Sequence, residues 1–240
     1  MLSDQVVLVT GSGRGIGAAT ALAFAKRGCR VVITSRTPSE LSDVKKYILE
    51  IVPDAEVLVQ ICDVSDTKSI FFLFDNIEKT LGPVEVLINN AAVGFSTEFF
   101  SIDEKSWDQT MDINVKGTFF CSQEMMRRFK RRNTPGVVIN LSSLGGLQKT
   151  EKFKGLAPYV ASKFAVVGLT EALAVEGREL GVLVNCVAPG AVDTLMLQKA
   201  APHLKTQTKP SDVAQIILKL CEESYVRGTT AQVVEIHSNL

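Results

Sequence analysis

Histidine is almost absent from this 240-residue chain, which has only His203 and His237. The five cysteines, at 29, 62, 121, 186 and 221, form no CxxC pair. With neither ligand type grouped, no metal site is expected. An odd number of cysteines without a spacing pattern also argues against a disulfide framework and for free thiols in a reducing compartment. Net charge is missing too: 26 basic and 26 acidic residues cancel. That removes any bulk electrostatic reason to expect nucleic acid or an anionic membrane as partner. No stretch reaches about 18 uninterrupted apolar residues, so no transmembrane helix is expected. The opening MLSDQVVLVTG carries Asp4 beside too short an apolar run for a signal peptide. No internal repeat, low-complexity tract or Pro/Gly-rich linker divides the chain. The expectation is one cytoplasmic domain over residues 1–240.

What is present is an alternation. Short β-branched runs at 5–10, 30–34, 56–62, 85–89, 136–142, 182–188 and 231–236 read as strands. They are apolar almost throughout, as parallel strands buried on both faces are. Helical patterns lie between them, near 15–27, 39–51, 66–80, 103–132, 158–180 and 211–223. Ser65, Asp103 and Ser211 read as N-caps, and Gly28 and Gly82 as helix stops. The expected fold class is α/β: a Rossmann-type, doubly wound, seven-stranded parallel sheet with helices on both faces.

The first strand runs into TGSGRGIG, residues 10–17, with glycines at 11, 13, 15 and 17. Such a turn lets backbone approach a ligand, and the following helix offers unpaired N–H groups and its positive dipole end to a pyrophosphate. Glycines also serve ordinary turns, but the place between first strand and first helix points to a dinucleotide. An NAD site usually carries a carboxylate at the end of strand two. Here the sequence reads VVITSRTPSE, with Ser35, Arg36 and no acid before Glu40. Arg14 and Arg36 together suit a 2′-phosphate, so NADP(H) is expected over NAD(H); the alternative is that Arg36 is a solvated loop residue. Asp63 either accepts from an adenine amino group or caps the helix beginning near Asp66.

Tyr159 and Lys163 stand at i and i+4, about 5–6 Å apart at Cβ on one helical face. They are either an amphipathic surface pair or a phenol tuned by an ammonium. Hydride reduction of a ketone needs a proton at the developing alkoxide, and the reverse reaction needs a base. An ordinary tyrosine titrates near 10; bringing it to about 7 takes about 4 kcal/mol.

Thr10-Gly11-x-x-x-Gly15-Ile16-Gly17, Asn89-Asn90-Ala91-Ala92, Asn114 in MDINVKG, Ser143 in INLSSLGG, Tyr159-x-x-x-Lys163 and Pro189-Gly190 before Thr194 follow one another along the chain. In that set the chain resembles the short-chain dehydrogenase/reductase family over nearly its whole length, and in particular its 3-oxoacyl-acyl-carrier-protein reductase-like members. The resemblance implies an NADP(H)-linked reductase or dehydrogenase with a catalytic tetrad of Asn114, Ser143, Tyr159 and Lys163. Tyr159 would be the general acid/base, and Ser143, more than Ser142, would hold the substrate carbonyl oxygen. Lys163 would also bind the nicotinamide ribose, and Asn114 would hold a water relaying protons; a satisfied core amide is the other role open to Asn114. Cofactor contacts are implied for Gly11, Ser12, Gly13, Arg14, Gly15, Ile16, Gly17, Arg36, Asp63, Val64, Asn90, Ala91, Ala92, Tyr159, Lys163, Pro189, Gly190, Val192 and Thr194. The family also implies a homodimer or homotetramer through the helices at 103–132 and 158–180. There Phe119, Phe120, Phe164, Val167 and Leu169 serve either an interface or the core.

Three features depart from the family pattern. Ala92 stands where glycine is usual, the segment from Ser143 to Tyr159 is longer and carries Lys149, Lys152 and Lys154, and the C-terminus lacks the usual Asp-Gly-Gly. A basic rim would attract an acidic substrate such as an acyl thioester on a phosphopantetheine carrier; a solvated loop is the alternative. The segment 194–210 would cover the substrate. The expected partner is thus a small carbonyl or alcohol, with a β-ketoacyl thioester foremost and another small ketone, sugar or alcohol as the alternative. A non-catalytic NADP(H) sensor is the rival from a different class.

Overall fold

Unbroken runs of Val, Ile and Leu build the middle of the molecule: every residue of β1 (Val6–Thr10) and β5 (Gly136–Leu141) is buried. The computed structural model describes residues 2–132 and 135–238. The other strands are β2 (Arg30–Ser35), β3 (Val57–Ile61), β4 (Val84–Asn89), β6 (Val182–Pro189) and β7 (Val233–Ile236). All pair in parallel, in the order β3-β2-β1-β4-β5-β6-β7.

The two-residue period of a strand divides the core into two layers. Val7 and Val9 of β1 join Phe24, Leu41, Ile48 and Ile217, which belong to α1 (Gly15–Ala25), α2 (Pro38–Ile51) and α8 (Pro210–Arg227). Val6 and Leu8 face the other way, onto Phe74, Ile77, Met125 and Leu173 of α3 (Thr67–Thr80), α5 (Gly117–Arg132) and α6 (Ala157–Arg178). Strand β1 has β2 on one side and β4 on the other, so the winding reverses there. In such sheets ligands bind beyond the carboxyl ends of the strands at that point.

Helix boundaries differ from the sequence expectation in informative places. Asp103 does cap α4 (Glu104–Met111), accepting from the Ser106 amide at 2.8 Å. The helix expected over 103–132 is interrupted by a π turn at Asp112–Lys116, centred on Asn114, before α5 resumes. The cap of α3 is Asp66, accepting from the Lys68 amide at 3.0 Å, and not Ser65. Helix α8 starts at Pro210, ahead of Ser211, because the fixed φ of proline suits the first helical turn. A short helix, α7 (Leu195–Ala200), capped by Thr194, lies inside the segment expected to cover the substrate. Among the described residues only α6 is long and apolar enough to cross a membrane by length and composition. It lies on β5 and β6 with Ser162, Lys163 and Thr170 buried.

Candidate active site

Two cavities open where the strands end. One, of about 520 Å³, is bounded by the glycine loop after β1, by Ser35–Thr37 after β2, by Asp63 and Val64 after β3, and by Asn90–Val93 after β4. The second, of about 460 Å³, is bounded by Ser142–Gly145 after β5, by Tyr159 and Val160 of α6, and by Pro189–Val192 after β6. Ile16, Thr194 and Met196 line both, so the two adjoin.

The glycine loop is shaped by close approach. Gly11 has φ +63, and a Cβ there would lie 2.7 Å from Ala91 Cα; Gly15 has φ +58. No side chain caps the N-terminus of α1, which leaves its first N–H groups for a ligand. Ser12 departs from its expected role: its amide donates to Thr34 O at 3.0 Å, and its hydroxyl sits between Val9 O and the Thr34 amide. Fully buried, it ties the loop to β2 and faces neither cavity. Asn90 Nδ2 donates to Thr10 O and Gly11 O, at 2.9 and 3.0 Å, and Gly17 packs behind it. Pro189, Gly190 and Val192 line the second cavity, not the first.

Both guanidiniums at the far end of the first cavity have carboxylate partners. Arg14 pairs with Glu40 of α2, and Arg36 stands 3.7 Å from Asp63. Asp63 caps no helix. Desolvation would raise its pKa, but hydrogen bonds from the Ser65 hydroxyl and amide, together with Arg36, hold the carboxyl below its usual range. The sequence placed Glu40 beyond the end of β2; the first turn of α2 folds it back over the loop.

Tyr159 and Ser143 both line the second cavity, and the Ser143 hydroxyl accepts from the Gly145 amide at 3.1 Å. Burial pushes the phenol above its ordinary pKa, against the lowering influence of the Ser143 hydroxyl. Lys163 is buried, at 3% exposed; its Nζ donates to Leu141 O at 2.7 Å and lies 5.6 Å from the centre of the Tyr159 ring. Burial pulls its ammonium down to about 8. Ser142 turns inward and donates to Lys163 O at 2.8 Å, which leaves Ser143 as the one of the pair that acts on the Tyr159 phenol.

The side-chain amide of Asn114 is engaged inside the chain. Its Oδ1 accepts from the Val93 amide at 2.8 Å, and its Nδ2 donates to Val93 O and Ser162 Oγ, each at 2.9 Å. Two glycines that sequence reasoning passed over hold the site together. A Cβ on Gly94 would lie 3.0 Å from the Tyr159 ring, and one on Gly146 would lie 2.6 Å from Lys163 C and O. The Gly145-Gly146 pair, one residue after the Ser142-Ser143 pair, was the available signal.

The lysine-bearing loop is tied down. Lys152 Nζ donates to Leu147 O at 2.7 Å and Thr150 O at 2.9 Å, and lies 5.4 Å from the Phe164 ring centre. Phe153 meets His203 edge-on, with ring centres 6.3 Å apart, joining this loop to the segment after α7. The unusual C-terminus forms a wall of the second cavity: the Gly190 amide donates to Ile236 O, and Ser238 Oγ donates to Ala191 O. No cluster of three metal-ligating side chains occurs among the described residues.

Comparison with known proteins agrees with this geometry. A family model described as short chain dehydrogenase matches residues 5–205. Levodione reductase of Leifsonia aquatica is 32% identical over 203 residues, covering 84% of this chain and 74% of that protein. The solved actinorhodin polyketide ketoreductase with NADPH superposes with TM-score 0.87 at 29% identity, covering 97% of this chain and 95% of the other. The 3-ketoacyl-acyl-carrier-protein reductase of Brucella melitensis, complexed with NADH, gives TM-score 0.89 at 26% identity and covers 98% of each chain.

Proposed function

The chain belongs to the short-chain dehydrogenase family, and on that premise we propose that this oxidoreductase uses NADP(H) to reduce a carbonyl, with Tyr159 as the general acid. Members of the family bind nicotinamide cofactors, and its solved relatives include complexes with both NADPH and NADH. The first cavity suits such a group: its glycine cradle has no room for side chains at Gly11, and an uncapped helix N-terminus faces it. When bound there, the nicotinamide supplies hydride.

The observation that carries the reading is that Tyr159 and Ser143 line the same cavity, which adjoins the glycine loop. Ser143 would orient the carbonyl oxygen, and Tyr159 would deliver a proton to it as negative charge develops. The raised phenol pKa keeps that proton in place at neutral pH. Lys163, anchored on Leu141 O, would hold positive charge below the ring. Asn114 would act as a positioning residue, fixing Val93 and Ser162 around Tyr159. Ser143→Ala is expected to lower kcat by about a hundredfold, at a stability cost of about 1 kcal/mol for the lost bond from the Gly145 amide. Ser142→Ala, which loses only the bond to Lys163 O, is expected to cost about 1–2 kcal/mol of stability. Measuring kcat beside thermal unfolding for the two variants checks that division.

The ketoreductase neighbours support a β-ketoacyl thioester as substrate. A compact apolar ketone is the second reading. It is favoured by Lys152, whose ammonium is engaged with loop carbonyls, and by the Leu144, Leu156, Val160, Leu197 and Leu204 lining. Loss of NADPH absorbance with a β-ketoacyl thioester and with a cyclic diketone, each repeated with NADH, tests both substrate and cofactor. Turnover of the thioester with NADPH is the expected result; turnover of the diketone alone would select the second reading. Five free, buried cysteines support a cytoplasmic setting. For the homodimer or homotetramer, exposed Phe164 is the candidate contact, because Phe120 and Leu169 pack on the core.

A further inference from the structure

We propose that Glu40 sets the preference of the adenosine end of the cofactor site by holding Arg14 back from a 2′-phosphate; this rests on the NADP(H) reading above. Glu40 is the third residue of α2, and its carboxylate forms a direct ion pair with Arg14. The same carboxylate packs onto the glycine loop: a Cβ on Gly13 would lie 2.8 Å from Glu40 Oε2 and 3.1 Å from Ser35 Oγ. A bare Gly13 is therefore what lets the glutamate fold into the cavity. Arg14, Arg36, Glu40 and Asp63 all line this cavity, and their formal charges cancel. A dianionic 2′-phosphate must draw Arg14 out of its pair and accept a carboxylate beside it, whereas a ribose 2′-hydroxyl meets neither obstacle. Arg36, 3.7 Å from a carboxylate already held by Ser65, is freer to turn. Glu40 thus narrows the margin by which this chain selects NADP(H) over NAD(H).

Glu40→Gln keeps the size of the side chain and its packing on Gly13 while removing the charge. The test is isothermal titration of the full chain with adenosine 2′,5′-bisphosphate and with 5′-AMP, which differ only in the 2′-phosphate. Wild type, Glu40→Gln, Arg14→Gln and the double variant are compared. Glu40→Gln is expected to bind the bisphosphate about tenfold tighter and to bind 5′-AMP unchanged, which also shows that the variant is folded. The gain should vanish in the Arg14→Gln background. Wild-type preference for the bisphosphate with no gain in Glu40→Gln overturns the proposal and leaves the NADP(H) reading standing. So does a gain that persists without Arg14. Weaker 5′-AMP binding by Glu40→Gln would make the glutamate a ribose ligand and overturn it as well. If wild type and variants alike bind 5′-AMP as tightly as the bisphosphate, the NADP(H) reading itself has failed.

Discussion

Tyr159→Phe is expected to lower kcat for carbonyl reduction by about a thousandfold, the middle of the range for loss of a positioned general acid. The substitution removes one oxygen and leaves the ring against Gly94, where there is no spare space. The melting temperature should therefore move by only a few degrees while turnover collapses. That separation matters, because a purely structural tyrosine would lose stability and activity together. A Tyr159→Phe variant with kcat within tenfold of wild type would remove the tyrosine from the chemistry.

Gly17→Ala is expected to be the most damaging change at the cofactor side. The added methyl would lie 2.5 Å from Asn90 Nδ2, 2.5 Å from Gly11 O and 2.9 Å from Ser12 Cα. Two of these are backbone atoms, so no side-chain rotation relieves the overlap. Relief requires parting the glycine loop from the end of β4 and breaking the Asn90 bonds to Thr10 O and Gly11 O. Overpacking of this kind costs about 1–3 kcal/mol, with about 1 kcal/mol for each broken hydrogen bond. NADPH affinity should fall by at least about a hundredfold, since the same movement displaces the cradle. Gly168→Ala is the matched control: a Cβ there meets nothing within 4 Å, and the residue lies within α6. It should leave binding intact and stabilise the protein by about 0.5–1 kcal/mol.

The sheet was legible in the sequence because parallel strands buried on both faces are apolar almost throughout. VVLVT and GVVINL announce themselves in a way that α7 cannot, with only six residues and a cap supplied by Thr194. The π turn at Asn114 escaped because periodicity over 103–132 averages across a single extra residue. What the sequence could not show was which polar groups would already have partners. Ser12 read as a group available to a ligand, Asn114 and Lys152 as groups with two roles open, and each has its hydrogen bonds inside the chain. Arg14 and Arg36 read as two free positive charges for the same reason, since Glu40 and Asp63 lie 26 and 27 residues farther along the chain. Motif spacing brought Tyr159, Ser143 and Lys163 to one place. The direction of the Lys163 ammonium, toward Leu141 O, follows from the packing of α6 on β5 and lies beyond any motif.

The protonation states of Tyr159 and Lys163 are the centre of the mechanism, and the pH dependence of single-turnover carbonyl reduction, read as loss of NADPH absorbance, tests them most directly. The phenol, raised by burial, keeps its proton well past neutrality, and the ammonium, lowered by burial to about 8, is the first of the two to titrate. The active form is the protonated one, so the rate should hold a plateau below pH 8 and fall as pH rises through it. In Lys163→Met, folded and with NADPH shown to be bound, the inflection near 8 should be gone and the plateau lower. A rate that climbs with pH through the same range, or an inflection that survives in Lys163→Met, would contradict this assignment of the proton donor and its neighbour.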